Sequence, residues 1–192
     1  AGDVIPKIKG VDVSARETEY PKFNFPTECP SCGSKLHFHE EDAIVRCDNG
    51  LNCPAQIYEH LCHFVSRNAF NIDGLGKKQI QFFIEQGKIK NPVDIFKLRQ
   101  YYAESDVKLE SIKGWGKKSA ENLYNAIEKA KDITLDKFIY ALGIRHIGEV
   151  NAKIFAREFK TAENFLNKMI DLAEGNKEIW NHLIYINNIG EK

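Results

Sequence analysis

The chain is 192 residues long, 43% hydrophobic and 11% aromatic, and its 27 basic residues balance 27 acidic ones. That apolar share supports a packed core and excludes wholesale disorder, while the longest apolar run, Phe138–Ile144, falls far short of the ~20 residues of a membrane span. Zero net charge excludes a histone-like polyelectrolyte but leaves room for a small basic face within a neutral total.

Five of the six prolines (Pro6, Pro21, Pro26, Pro30 and Pro54) lie in the first 54 residues. Proline breaks helix interiors, so the front is expected to be strand and loop and the rest helical. The opening Val4–Val13 has β-branched residues and partial period-two alternation, which predicts a strand. No turn or hairpin partner precedes it, so it is expected to be an orphan strand of a larger sheet.

A Cys-rich segment follows. Four of the five cysteines fall between Cys29 and Cys53, in the pattern Cys29-x2-Cys32-x14-Cys47-x5-Cys53. Clustered thiols without a basic secretory leader point to a reducing compartment and a metal site. A tetrahedral zinc site takes four soft ligands from two chain segments, and a Cys-x2-Cys knuckle supplies two from one turn. Gly33 permits that turn. One hairpin, Leu36–His39 with Ala43–Arg46, is expected inside the module. A rival ligand set would use His37 or His39, which alternate with Leu36 and Phe38 as residues on an outer strand face would. Cys62 reads as a plain core cysteine. Four protein thiolates leave no open position for water, so the site is expected to be structural and zinc-catalysed hydrolysis is disfavoured.

From about Tyr58 onward apolar residues recur at helical spacing, in the stripes Ile80-Phe83-Ile84, Ala120-Leu123-Ile127 and Ala152-Phe155-Phe159. A repeat runs through this region. Ile72-Asp73-Gly74-Leu75-Gly76-Lys77-Lys78 matches Ile112-Lys113-Gly114-Trp115-Gly116-Lys117-Lys118, then Ile144-Arg145-His146-Ile147-Gly148, then Ile186-Asn187-Asn188-Ile189-Gly190. The second glycines, Gly76, Gly116, Gly148 and Gly190, are 40, 32 and 42 residues apart, which suits one helical pair plus a connector. The pattern is a helix, a tight hairpin and a second helix.

Glycines let such a hairpin adopt positive φ and lie close to a partner, and its N–H groups favour an anion, in practice a DNA phosphate. Leu75, Trp115, Ile147 and Ile189 are expected to tuck inward. Lys77, Lys78, Lys117 and Lys118 oppose the dipole of the helices they open, and a bound anion explains their presence. The expected DNA contacts are Gly74, Gly76, Gly114 and Gly116 with these four lysines, then His146 and Gly148, and last Gly190. For His146, phosphate contact and packing stay open, with Arg145 and Lys153 favouring contact. Gripping phosphates without reading bases predicts sequence-independent, salt-sensitive binding.

This order of modules resembles bacterial NAD-dependent DNA ligases. The resemblance is carried by Cys29-Pro30-x-Cys32-Gly33, Cys47-x5-Cys53-Pro54-Ala55-Gln56, Asn71-Ile72-Asp73-Gly74-Leu75-Gly76, Gly116-Lys117-Lys118-Ser119-Ala120 and Ala141-Leu142-Gly143-Ile144-Arg145. Ala1–Pro6 resembles the closing strand of that family's OB domain. It implies a mainly α chain. Residues 1–24 would be an OB-domain remnant and linker, 25–57 a four-cysteine zinc finger of ribbon type, and 58–192 a helix-hairpin-helix domain of four motifs, the last truncated. It further implies the sealing of nicks in duplex DNA in replication and repair, with NAD donating AMP and Mg2+ assisting, in the bacterial cytoplasm and at the nucleoid.

The family's Lys-x-Asp-Gly nucleophile motif is absent; the nearest string, Asn71-Ile72-Asp73-Gly74, lacks the lysine. A fragment is therefore expected that binds DNA and ligates nothing, its nucleotidyltransferase, OB and BRCT partner domains lying elsewhere in the enzyme. Two rivals are a stand-alone DNA-repair adaptor and a protein-interaction scaffold whose hairpins are only turns.

Overall fold

A computed structural model of the protein describes residues 7–37 and 44–186. They divide into two units, residues 1–48 and residues 49–192.

In the first unit the described part of the opening segment is not a strand. Residues 7–12 have no ladder partner, and Val13–Ala15 form a single 3-10 turn whose N-cap, Asp12, accepts from the Ser14 N–H at 3.0 Å. Ile8, Val11 and Val13 are exposed. β-Branched residues favour a strand only where a second strand satisfies the backbone, and no neighbour does so here. The orphan-strand expectation is corrected for residues 7–13; residues 1–6 lie outside the described residues.

The expected hairpin is present in shortened form, with β1 (Leu36–His37) antiparallel to β2 (Arg46–Cys47) and Leu36 opposite Cys47. Its tip, with His39, lies outside the described residues.

The second unit holds eight α-helices among the described residues: α1 (Pro54–Phe64), α2 (Lys77–Glu85), α3 (Pro92–Glu104), α4 (Lys117–Ala130), α5 (Leu135–Ala141), α6 (Glu149–Phe159), α7 (Ala162–Ala173) and α8 (Lys177–Ile184). The apolar stripes face inward as their 3.6-residue period requires: Ile80 and Phe83 on α2, Ala120, Leu123 and Ile127 on α4, and Ala152, Phe155 and Phe159 on α6 are buried.

They feed two cores. The first joins α1 to α4, with Leu61, Phe83, Ile95, Leu98, Leu109 and Leu123 almost wholly buried. Phe64 stacks on Phe70 with ring centroids 4.1 Å apart. The second joins α5 to α8 around Phe155, Phe159 and Phe165. Each fully buried Phe or Leu contributes about 1.5–3 kcal/mol. Phe138 and Tyr140 on α5 pack against both cores, so α5 is the element they share.

Candidate nucleic-acid interface and metal centre

Three chain segments, 72–80, 112–120 and 144–152, adopt one hydrogen-bonded pattern. The first residue's carbonyl accepts from the N–H three positions on: Leu75 to Ile72 at 3.2 Å, Trp115 to Ile112 at 2.9 Å and Ile147 to Ile144 at 3.0 Å. The third residue is left-handed, with φ of +83° at Gly74, +94° at Gly114 and +66° at His146. This is the type II turn arrangement, which places positive φ at its third residue. The glycine that follows is the N-cap of the next helix, and its carbonyl receives the N–H of a buried residue: Ile80 to Gly76, Ala120 to Gly116 and Ala152 to Gly148, at 2.9–3.0 Å.

The repeat is therefore a structural one at three sites. The fourth copy, with Ile189 and Gly190, lies outside the described residues. Leu75 is buried, and Trp115 and Ile147 are half-buried, as inward-tucking residues should be. Trp115 packs on Phe83 at 5.5 Å between ring centroids.

Helix starts leave backbone N–H groups without intrahelical partners. Asn91, Thr161 and Asn176 cap α3, α7 and α8 by accepting first-turn N–H bonds. The three hairpin helices α2, α4 and α6 begin at glycines, which supply no such side-chain cap, and at α4 the Ser119 hydroxyl accepts the Gly116 N–H at 2.9 Å; α1 and α5 also lack a cap of the first kind. At Gly116 and Gly148 the backbone is extended and a Cβ would meet nothing within 4 Å. Neither strain nor internal packing calls for glycine there.

Lys77, Lys78, Lys117 and Lys118 are all exposed on the first turns of α2 and α4. Lys77 lies 3.6 Å from Glu59, an exposed pair of the kind that contributes little. The first two hairpins open onto one groove, lined by Gly74 and Lys78 from one and by Gly114, Trp115 and Ser119 from the other. The third differs: α6 opens with Glu149, whose carboxylate is held by the Asn68 amide at 2.6 Å, and His146 is exposed with its carbonyl accepting from Asn151 at 3.0 Å. A carboxylate at that helix start repels an anion, so the third hairpin lacks the paired-lysine chemistry of the first two.

The four-cysteine pattern is also brought together. A tight turn closes over Cys29 and Cys32, with the Gly33 N–H donating to the Cys29 carbonyl at 2.8 Å and Gly33 at φ +71°. Cys47 sits in β2, and Cys53 follows a 3-10 turn, Gly50–Asn52, as the N-cap of α1. One donor sulfur from each of the four lies within 4.8 Å of the others, with Cys29 and Cys53 buried. His37 is not in the cluster. Cys62 is half-buried against the first core, and burial pushes its thiol pKa up, as suits an inert thiol rather than a ligand. Four converging soft donors fit zinc.

Sequence reasoning missed two features. His60 and His63 on α1 face Gly143, with the His63 Nε2–H donating to the Tyr140 carbonyl at 2.8 Å. Arg67 and Asn68 approach α5 and α6. Their partners lie about 70 to 80 residues away, beyond any local pattern.

Two segments of the chain match known protein families. Residues 28–55 match the family described as the NAD-dependent DNA ligase C4 zinc finger domain, and residues 137–192 match the helix-hairpin-helix motif. Over all 192 residues the chain is 56% identical to a DNA ligase of Rickettsia bellii (strain OSU 85-389), 54% to one of Rickettsia prowazekii (strain Madrid E) and 53% to one of Rickettsia typhi. It spans 28% of the length of those relatives. No helix among the described residues is long and apolar enough to cross a membrane.

Proposed function

We propose that this chain is a segment of a bacterial NAD-dependent DNA ligase, the part that grips the duplex while the rest of the enzyme seals a nick. The observation that carries the reading is the shared geometry of the hairpins: helix starts at glycines behind left-handed turns, two of them facing one groove with paired lysines. Backbone N–H groups at a helix start favour an anion, and exposed lysines beside them add charge without selecting a base. Gly74, Gly76, Lys77, Lys78, Gly114, Gly116, Lys117 and Lys118 form the principal contact. His146 and Gly148 form a weaker one, and Gly190 belongs to the fourth copy of the repeat.

Cys29, Cys32, Cys47 and Cys53 are the zinc ligands, and the metal supplies folding free energy that so small a module cannot draw from its own core. We read the chain in three parts: residues 1–24 as the end of an OB domain and linker, 25–57 as zinc module and 58–192 as DNA-binding domain. In the whole enzyme NAD supplies AMP for activating the 5′-phosphate of the nick, with Mg2+. The chain carries no Lys-x-Asp-Gly motif, so adenylation is assigned to the nucleotidyltransferase domain. A place in the cytoplasm at the nucleoid follows from this reading. The identity to DNA ligases across the whole chain weighs against a stand-alone adaptor.

A salt titration of binding to nicked and intact duplexes of one sequence tests it. A steep log–log slope, about 0.9 per phosphate contacted, is expected with little dependence on sequence. Nicked duplex binding better would place nick sensing in this segment. No binding to either by the zinc-loaded, folded protein overturns the reading and leaves the scaffold alternative.

A further inference from the structure

The four clustered sulfurs are not equally protected. Cys29 is 7% exposed and Cys53 1%, whereas Cys32 and Cys47 are only half-buried. Cys32 Sγ and Cys47 Sγ lie 3.6 Å apart, with Ser34 Oγ 3.4 Å from Cys32 Sγ.

Backbone hydrogen bonds hold this pair together. The Leu36 N–H donates to the Thr27 carbonyl at 2.9 Å and the Cys29 N–H to the Ser34 carbonyl at 2.7 Å, so the knuckle folds back on itself with Cys32 in its turn. Glu28 bridges Lys35, and the ladder continues from β1 to β2, where Leu36 stands opposite Cys47. A disulfide places its sulfurs about 2.05 Å apart, and a side-chain shift of about 1.5 Å would close this one. Oxidation of cysteine follows thiolate character and exposure, and a sensor thiol stands beside a second one that resolves it. Zinc ligation requires the thiolate form. Cys32 and Cys47 meet all of these conditions. Burial shields Cys29 and Cys53, and Cys62 lies outside the cluster.

We propose that Cys32 and Cys47 are an oxidant-sensitive pair, which peroxide converts to a disulfide with release of the zinc. This inference rests on the zinc reading and adds a reversible modification to a site otherwise read as structural. The Cys32 thiolate attacks one peroxide oxygen, the O–O bond breaks, and hydroxide leaves a sulfenic acid on Cys32. The Cys47 thiolate then attacks that sulfur, the S–S bond forms, and a second hydroxide leaves. Two electrons pass from the sulfur pair to peroxide, and two solvent protons turn the hydroxides into water. Only Cys29 and Cys53 then remain as thiolate donors of the four.

The test begins with the zinc content of the purified protein. The metal-loaded protein is treated with excess hydrogen peroxide while a weak colorimetric chelator follows released zinc. Remaining thiols are alkylated and mapped by mass spectrometry. One zinc per chain is expected to be released, and the five thiols are expected to fall by two. The alkyl label is expected on Cys29, Cys53 and Cys62, beside a Cys32–Cys47 link. Dithiothreitol with added zinc is expected to restore thiols and metal, and Cys62→Ser to release zinc at the parent rate. A Cys29–Cys32 link, sulfinic acid in place of a link, or loss of release in Cys62→Ser overturns the pairing. Metal retained under peroxide overturns the inference and leaves the zinc site standing. Protein that neither carries zinc nor takes it up overturns the site and the inference with it.

Discussion

Gly143 and His60 meet across the join between the two helical cores: a Cβ on Gly143 would stand 3.2 Å from His60 Nδ1, and Gly143 is itself left-handed at φ +64°. Gly143 lies just past the C-cap of α5, the helix both cores share, and His60 is on α1 of the first core. Beside them His63 bonds the Tyr140 carbonyl and its ring lies 4.7 Å from the Tyr140 ring. One small residue thus ends α5 and lets α1 lie against it.

Gly143→Ala is expected to destabilise the helical unit by about 1–2 kcal/mol, since an L side chain is strained at positive φ and the Cβ would also press on the imidazole. Thermal unfolding followed by circular dichroism measures this; an unchanged midpoint would show that the join tolerates the methyl group.

Acid should weaken the same join. Burial, with a smaller contribution from the neighbouring His63, holds His60 below its ordinary pKa of 6.5, so the folded state favours the neutral ring. The unfolded chain then takes up the proton first. Stability from this group is complete above pH 6.5 and falls as pH drops through the lower folded-state value. Urea unfolding from pH 8 to pH 5 is expected to show the decline, and His60→Gln is expected to flatten it. An identical slope in that variant would refute the assignment.

Two glycine variants separate turn geometry from contact. Gly114→Val forces a β-branched residue to φ +94° and is expected to lower both stability, by about 1–3 kcal/mol, and DNA affinity. Gly116→Ala sits on extended backbone with open space around its Cβ. It is expected to lose at most ~1 kcal/mol of stability as a poorer N-cap, yet to bind duplex several-fold more weakly because the methyl group stands where a phosphate approaches. Full affinity in folded Gly116→Ala would remove this glycine from the interface.

Zinc removal should act locally. Neither apolar core contains Cys29, Cys32, Cys47 or Cys53. Chelation is expected to release one equivalent of zinc and expose four thiols to a colorimetric reagent, while helical ellipticity falls little. Collapse of the helical signal on chelation would show that the metal also supports α1, which Cys53 caps.

The sequence by itself determined the parts of this protein that depend on neighbours along the chain. Cysteine spacing announced the metal cluster, the glycine repeat announced three matching hairpins, and the apolar period assigned the buried faces of α2, α4 and α6, all through local rules of turn and helix. Those rules erred where a partner mattered: Ile8, Val11 and Val13 have strand character but no ladder to join.

Only the tertiary structure decided which hairpins share a groove, that His146 takes the left-handed role filled by Gly74 and Gly114, and that His60 rests on Gly143. It alone brought Asn68 to the Glu149 carboxylate. Such relationships join residues dozens of positions apart through packing around two cores, and no periodicity along one segment encodes the position of another.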